Sequence, residues 1–135
     1  DLLNRMAKNS ADFSLTFRLL CDAAQSPDGD AAVRALFRNP SDFDEWAASW
    51  RQRLAEEGGD ANARRLAMRA VNPLFIPRNH LVEEAISAAV NGGDFSFFES
   101  LVTVLSMPYE DRPAYSHYAD PPRPEQVVRQ TFCGT

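Results

Sequence analysis

The feature that most constrains the fold is a helical spacing of apolar residues that recurs through most of the chain. It is clearest at Phe43, Trp46, Ala47, Trp50 and Leu54, which stand at positions i, i+3, i+4, i+7 and i+11. Residues with this spacing lie on one side of an α-helix, whereas a half-buried strand needs strict alternation. No stretch alternates for long enough to predict a sheet. The sequence therefore predicts an all-α fold of about six amphipathic helices.

The same spacing recurs in further stretches, and in each it predicts a buried helix face. These faces are Leu2, Leu3 and Met6; Phe13, Phe17, Leu20, Cys21 and Ala24; Ala32, Val33, Leu36 and Phe37; Leu66, Ala67, Ala70 and Val71; Leu81, Val82, Ala85, Ile86, Ala89 and Val90; and Phe95, Phe98, Leu101, Val102 and Leu105. The first begins at the second residue of a chain that lacks an initiator Met. We therefore expect these residues to be a carboxy-terminal piece of a longer protein; the alternative is a mature amino terminus produced by processing.

Polar residues mark where the helices are expected to begin. Ser10 or Asp12, then Ser41, Asp60 and Asp94, each precede an apolar stretch. A side-chain oxygen at such a position accepts a hydrogen bond from the first amides of the helix. Glycine pairs follow two of the helices, and Gly adopts the left-handed conformation that ends a helix at little cost.

Prolines interrupt the helical pattern from position 107 onwards. They stand at 108, 113, 121, 122 and 124, and Pro disfavours helix at its own position and at the one before it. We predict a helical segment over residues 1–106 and an extended, Pro-rich tail over residues 107–135 that carries Cys133. Val127 and Val128 fit either a short strand or coil.

Charge and hydropathy exclude two classes of partner. The chain carries 14 basic and 19 acidic residues, a net charge of −5, whereas nucleic-acid binding needs clustered cations that neutralise phosphates. The densest basic group, Arg64, Arg65 and Arg69, is predicted to be the solvated face of one helix. No run approaches the roughly 20 apolar residues of a membrane span, and no secretory signal is present. We expect no nucleic-acid or membrane partner and a cytoplasmic location in a bacterium.

Catalytic and metal-binding motifs are absent from the sequence. His80 stands at helical spacing from Glu83 and Glu84, but a metal site needs three or four converging ligands, so these residues are predicted to lie on a helix surface. His117 has the chemistry of a general base, but the sequence pairs no nucleophile with it. No Gly-rich phosphate loop follows a strand. We predict no catalytic, cofactor-binding or metal-binding residue in this segment.

The two cysteines have different expected roles. Cys21 stands at an apolar helix position, where a free Cys behaves as a small core hydrophobe. Cys133 is third from the end, after the Pro-rich tail, where chains are generally exposed. An exposed thiol can be oxidised or attack a disulfide, so Cys133 is the candidate redox residue. A disulfide between the two cysteines remains open, although such bonds are rare in cytosolic proteins.

Four stretches, taken in order, resemble a known family. Residues 12–18 combine Asp-aromatic with Thr-Phe-Arg; residues 43–54 contain Phe-Asp-Glu-Trp, then Trp-Arg and Arg-Leu; residues 72–81 contain Asn-Pro, four residues, then Arg-Asn and Leu; residues 93–115 contain Gly-Asp-Phe, Pro-Tyr, an acidic pair and Tyr. With a Cys third from the end, they resemble the carboxy-terminal region of selenoprotein O-type proteins. Three features depart from the family: Met107 stands where Asn often precedes Pro-Tyr, no Trp follows the Pro-Pro, and the chain ends in Gly-Thr rather than Ser-Ser.

The resemblance implies a large protein with a protein-kinase-like fold. Such a protein binds ATP in an inverted orientation and, with a divalent metal such as Mg²⁺, transfers AMP to Ser, Thr or Tyr hydroxyls of proteins. The ATP and metal ligands belong to the kinase-like part, so the resemblance assigns none of them here. It assigns only Cys133, at the position of the family's redox-active Cys or selenocysteine. The implied partners are the kinase-like core of the same chain and the protein substrates of the parent.

Two hypotheses follow for the role of this chain. In the first, it is a non-catalytic helical segment that supports the kinase-like core and carries the redox-sensitive Cys133. In the second, it is an independent helical protein-interaction module with no enzymatic role.

Overall fold

A computed structural model of the chain describes residues 1–130. These residues confirm the all-α prediction, since they form seven α-helices and three short 3₁₀ helices and contain no β-strand. The α-helices are α1 (Leu2–Asn9), α2 (Phe13–Gln25), α3 (Asp30–Arg34), α4 (Pro40–Glu57), α5 (Ala61–Arg69), α6 (Asn79–Gly92) and α7 (Ser96–Leu105). Within the described range, no helix has the length and apolar character needed to cross a bilayer.

The chain divides into two compact units, one formed by residues 1–73 and the other beginning at residue 74. The first unit contains α1 to α5, and the second contains α6, α7 and the tail. The sequence does not predict this division, because helical spacing continues on both sides of it.

The core of the first unit forms around the apolar stripe of α4, as predicted. The Phe43 ring is 1% exposed, and its centroid lies 5.6 Å from that of Phe37 and 6.0 Å from that of Trp46. Trp46 and Trp50 stack with centroids 5.1 Å apart and pack against this core. The other helices contribute Met6, Leu20, Ala23 and Val33.

Side-chain caps begin two helices of the first unit where the sequence predicts them. A carboxylate oxygen of Asp12 accepts a hydrogen bond from the Leu15 amide at 2.8 Å, at the start of α2. Asp60 does the same for α5, with a distance of 2.6 Å to the Ala63 amide. Ser10, the alternative cap, instead adopts a left-handed φ of 54° that ends α1.

The helix α4 begins earlier than predicted. Its cap is Asn39 rather than Ser41, and the Asn39 side chain accepts a hydrogen bond from the Ser41 amide. Pro40 then occupies the first helical position, where a missing amide hydrogen costs nothing because that amide has no partner inside the helix. The proline therefore starts the helix.

The predicted glycine stops are confirmed. Gly58 ends α4 with a φ of 62°, and Gly93 ends α6 with a φ of 64°, in the region that side chains with a Cβ rarely adopt. After the second of these, Asp94 accepts a hydrogen bond from the Ser96 amide at 2.9 Å. The N-cap of α7 is nevertheless Phe95, which makes no side-chain cap, so the predicted cap at Asp94 lies one residue before the cap position.

The apolar face predicted for α5 is wrong. Leu66 and Val71 are 55% and 71% exposed, and the opposite side of α5 carries Arg65 and Arg69, which donate hydrogen bonds to the Asp22 carboxylate of α2. Burial alone would raise the pKa of the Asp22 carboxyl, but the two guanidinium groups hold it below its ordinary value. Because a carboxylate on α2 faces this helix, its charged side packs inward and its apolar side stays exposed.

The predicted solvated face of Arg64, Arg65 and Arg69 is wrong for the same reason. Arg64 donates to the carbonyl oxygens of Leu54 and Gly58 at the end of α4. Carbonyl groups at a helix end have acceptor capacity that the helix does not use, and a cation there also complements the helix dipole. All three arginines are therefore engaged within the first unit.

Gly29 lies in the turn between α2 and α3, where no side chain fits. A Cβ on this residue would lie 2.5 Å from the Ala23 amide nitrogen and 2.7 Å from the Asp22 carbonyl carbon. We expect Gly29→Ala to lower the free energy of unfolding by about 1–3 kcal/mol, because the α2 backbone must move. The matched control is Gly92→Ala, since nothing lies within 4 Å of that Cβ position. Urea denaturation measures both, and equal stability of the two variants would contradict the steric explanation.

The second unit packs α6 against α7 and ties their flanking segments together. Its buried apolar residues among those described include Phe75, Leu81, Ala85, Leu101 and Val104. The amides of Leu74 and Phe75 both donate to the Pro108 carbonyl oxygen, at 2.8 and 3.1 Å. The segment before α6 is therefore held to the segment after α7.

The faces predicted for α6 and α7 are only partly buried. Five of their predicted members are at least half exposed: Ile86, Val90, Phe95, Phe98 and Val102. Val104, which the spacing did not include, is fully buried. The apolar arc of each helix is wider than the stripe that its neighbour covers.

The tail is less extended than predicted. Two 3₁₀ helices interrupt it, Pro113–Ala119 and Pro124–Gln126. Each begins with a proline, whose missing amide hydrogen has no partner to lose at that position. Val127 and Val128 lie in coil, so the strand alternative is wrong.

Candidate functional site

The predicted redox residue, Cys133, lies outside the residues that the structure describes. The other cysteine, Cys21, is fully buried in α2, and its Sγ donates to the Phe17 carbonyl oxygen at 3.3 Å. Burial raises the pKa of the Cys21 thiol, and a buried, protonated thiol is a poor nucleophile. Cys21 is therefore the core residue that its position predicts.

Residues of the family-like stretches are tied into internal contacts. Arg18 is 2% exposed, and its Nη1 donates to the Asn72 carbonyl oxygen at 3.0 Å and to the Arg69 carbonyl oxygen at 3.4 Å. The stretch 12–18 therefore contacts the start of the stretch 72–81. The sequence does not predict this burial, because Arg is mostly exposed in proteins.

Arg51, in another of these stretches, plays a similar part. Its Nε donates to the Asp30 carboxylate at 3.0 Å, and an Nη donates to the Ala23 carbonyl oxygen at 3.0 Å. The guanidinium also lies 5.7 Å from the ring centroid of Trp50. A single side chain thus connects α4 to both α2 and α3.

The base of the tail is anchored by Arg112. Its guanidinium donates to the carbonyl oxygens of Thr103 and Val104 at the end of α7. It also lies 5.0 Å from the ring centroid of Tyr115 and 5.6 Å from that of Phe75, within the range of a cation–π interaction. This side chain therefore holds the tail to α7 and to the segment before α6.

An aromatic cluster around Tyr118 also attaches the tail to α7. Tyr118 is 6% exposed, and its ring centroid lies 4.2 Å from that of His117, 6.0 Å from that of Phe97 and 6.1 Å from that of Tyr115. Such pairs stabilise beyond the apolar area that they bury. The tail is packed against α7 as far as this cluster.

A cavity of about 320 Å³ lies where the tail then passes the first turns of α6. Its polar lining is His80, Glu84, His117, Asp120, Arg123 and Gln126. The structure thus brings together two histidines that lie far apart in the sequence. The spacing of residues in the sequence does not predict this arrangement, because it depends on how the tail packs against α6.

The electrostatics of the cavity favour a neutral His80. Burial lowers the pKa of the His80 imidazole, and the charges of Arg78 and Arg123 lower it further against an opposing effect of Glu84. A neutral imidazole both donates and accepts a hydrogen bond. The cavity therefore has the chemistry to hydrogen-bond a small polar group.

The lowered pKa of His80 makes stability depend on pH in a defined direction. Because the folded-state pKa lies below the ordinary 6.5, the unfolded state takes up protons first, and stability falls as the pH drops below 6.5. We expect Arg123→Gln to raise the pKa of His80 by removing one nearby cation, as followed by NMR titration of the imidazole. Arg129→Gln is the control, since the cations that lower the pKa of His80 are Arg78 and Arg123. An unchanged midpoint in Arg123→Gln would count against this electrostatic cause.

A second surface feature is an apolar groove between α6 and α7, with a volume of about 330 Å³. Its lining is entirely apolar and includes Val82, Ile86, Ala89, Phe95, Phe98 and Val102. Exposed patches of this kind mark interaction surfaces. The spacing of these residues predicted a buried face, so the sequence does identify the surface.

The described residues do not fit the ATP and divalent metal that the resemblance implies for the parent protein. Residues 1–130 bring together no group of three or more His, Cys, Asp or Glu side chains that could hold a metal ion. They form no strand-to-helix glycine loop of the kind that cradles phosphates.

Comparison with known proteins identifies the family. The family model described as protein adenylyltransferase SelO matches residues 1–106. The chain is 62% identical over 135 residues to "Protein nucleotidyltransferase YdiU" of Bradyrhizobium diazoefficiens, and 59% identical over 135 residues to the protein of that name in Nitrobacter hamburgensis. A third protein of that name, from Methylorubrum extorquens, is 55% identical over 141 residues.

These alignments cover the whole of this chain but only part of each relative. The shares of the three relatives are 27%, 26% and 28%, so the chain spans about a quarter of their length. The family match covers well over half of the chain and agrees with the resemblance found in its motifs. The chain therefore belongs to the SelO family of protein adenylyltransferases.

Proposed function

We propose that this chain is the carboxy-terminal, non-catalytic helical segment of a selenoprotein O-like enzyme that transfers AMP from ATP to Ser, Thr or Tyr hydroxyls of proteins. In this proposal the segment supports a kinase-like core elsewhere in the longer protein. The carboxy-terminal placement and the acceptor hydroxyls rest on the sequence resemblance.

The observation that supports this proposal is that the family-like residues make contacts within the fold. Arg18 and Arg51 donate to backbone carbonyl groups inside the first unit, and Asp12 begins a helix. In the second unit, Pro108 accepts two backbone hydrogen bonds. Residues held by such contacts stabilise the fold. Their donors and acceptors are already used within the chain, which favours a supporting role over a role in binding substrate.

The proposed division of labour places ATP and Mg²⁺ in the remaining three-quarters of the longer protein. The AMP-transfer chemistry would be supplied there. The part of the chain described here would contribute stability and a fixed starting point for the tail, through Arg112 and Tyr118.

The test of this division compares the complete protein with the 135-residue chain. Each is incubated with ATP labelled at the α-phosphate, Mg²⁺ and acceptor proteins. We expect label on the acceptors only with the complete protein. Transfer by the isolated chain would show that it is catalytic, and absence of transfer by both would contradict the proposed activity of the parent.

The proposed redox role concerns Cys133. In a disulfide with a thiol of the core, the two thiols lose two protons and two electrons to an oxidant such as hydrogen peroxide, which is reduced to two molecules of water. Arg112 and Tyr118 fix the first part of the tail to α7. The segment that carries Cys133 therefore starts from a fixed position. We propose that this disulfide changes the rate of AMP transfer.

Mass spectrometry of the non-reduced complete protein tests the disulfide. We expect a peptide pair containing Cys133 after mild oxidation, and a peroxide-dependent change in AMP transfer that Cys133→Ser abolishes. Cys21→Ala is the control, because Cys21 is buried and should leave the peroxide response intact. If Cys133 never pairs, or if Cys133→Ser responds normally, the redox role is wrong.

The alternative function is an independent helical protein-interaction module, and the apolar groove of the second unit favours it. This alternative predicts that the isolated chain captures one specific partner and that Phe98→Ala weakens the capture. Failure to find a specific partner would leave the support role as the better explanation.

A further inference from the structure

The groove between α6 and α7 has the character of an interface. Phe95 and Phe98 are 58% and 52% exposed, and Ile86 and Val102 are 50% exposed, yet all four lie around one concave, wholly apolar surface. Exposed apolar side chains gathered around one concave surface mark a site where another surface binds, because covering them removes apolar area from water.

The concave shape limits what can cover the groove. A two-fold dimer places the same patch of both copies face to face. Two facing grooves would leave both volumes of about 330 Å³ unfilled, whereas stable interfaces are packed as densely as protein interiors. The groove therefore needs a convex apolar ridge and not a second groove.

A ridge from a second copy of this chain is also a poor solution. The exposed apolar side chains of Leu66 on α5 and of Val71 just after it form a convex candidate in the described residues. Its insertion into the groove of another copy would be a head-to-tail contact, and such contacts propagate into rings or filaments. A ridge within the same polypeptide avoids both outcomes.

We infer that the groove between α6 and α7 is the seat of an apolar helix from the part of the longer protein outside these 135 residues. The chain spans about a quarter of its relatives, so most of the longer polypeptide is available to supply this helix. Helices seat in apolar grooves through side chains at i, i+3, i+4 and i+7. The inference rests on the proposed function in one respect, that the chain is part of a longer protein.

A photo-crosslinker tests the occupant directly. In the complete protein, p-benzoylphenylalanine replaces Phe98 inside the groove or Tyr109, an exposed aromatic residue of the same unit that does not line it. We expect the position 98 probe to form an intramolecular link to a peptide outside the 135 residues, and the position 109 probe not to form that link. A link between two copies, or no link from position 98, would overturn the inference.

A charge substitution gives an independent readout. Val102 and Thr103 are neighbours of similar shape on α7, both exposed, but only Val102 lines the groove. If a helix covers the groove, Val102→Asp lowers the unfolding midpoint of the complete protein, whereas Thr103→Asp leaves it nearly unchanged. Equal midpoints for the two variants would show that the groove is open to solvent.

These measurements separate the inference from the proposed function. If the position 98 link forms in a protein that transfers no AMP, the helix seat stands and the proposed activity falls. If AMP is transferred but position 98 forms no link, the activity stands and the helix seat falls.

Discussion

Phe43→Ala is expected to lower the free energy of unfolding of the first unit by about 3–5 kcal/mol. The Phe43 side chain is 1% exposed and contacts the rings of Phe37 and Trp46. Truncation would remove most of its buried apolar area and leave a cavity among residues that cannot fully close it. The loss is a large part of the roughly 5–15 kcal/mol by which domains are stable.

Urea denaturation followed by tryptophan fluorescence measures this effect, because Trp46 lies beside the substituted ring. Phe13→Ala is the matched control: Phe13 is 63% exposed, and its ring contacts that of Phe17 with centroids 4.9 Å apart. The control should lose about 1 kcal/mol or less. A similar loss in both variants would mean that the α4 stripe is not the core of this unit.

Asn9→Ala is expected to lower the free energy of unfolding by about 2–3 kcal/mol. Asn9 is 2% exposed. Its Nδ2 donates to Asp42 at 2.8 Å and to the Arg5 carbonyl oxygen at 2.9 Å, and its Oδ1 accepts from the Asn39 amide at 2.7 Å. The variant would remove the acceptor of the Asn39 amide and one of the two donors to the Asp42 carboxylate, which is only 8% exposed. Losing a partner of a buried polar group costs more than the bond itself is worth.

Asn91→Ala is the control, because Asn91 is exposed and donates to Ser87 at 3.0 Å; it should change stability by less than about 0.5 kcal/mol.

The pH dependence of stability gives a second check on the Asn9→Ala result. Hydrogen bonds from Asn9 and Lys8 hold the pKa of Asp42 below its ordinary 3.8, so the stability they provide is present above that pH and is lost as the pH falls below it. The difference between wild type and Asn9→Ala should narrow below pH 3.8, and a constant difference would contradict the role of Asp42.

The candidate site could be predicted from the sequence only in part. The spacing of Phe95, Phe98 and Val102 identified an apolar face, but not that this face would stay exposed. The spacing could not show that His80 and His117 would line one cavity, because residues this far apart meet only through the path of the tail. The anchoring role of Arg112 likewise depends on carbonyl groups at the end of α7, which are available only after that helix has formed.

Local chemistry in the sequence determined where several of the helices begin or end. Asp12 and Asp60 accept hydrogen bonds from nearby amides, and Gly58 and Gly93 adopt positive φ angles. These effects act within a few residues, so a linear pattern contains them. The family-like motifs are local in the same sense, and the family they indicated is the one that the comparisons found.

Only the tertiary structure decided which side of each helix is buried. On α5 the apolar side predicted to face inward lies exposed, because Asp22 of α2 pairs with Arg65 and Arg69 on the other side. On α7, Val104 is buried and Phe98 is half exposed, because the neighbouring helix covers a narrower stripe than the apolar arc. Periodicity specifies that a helix has a distinct face, but the packing partner determines where that face points, and the partner is set by contacts between residues far apart in the chain.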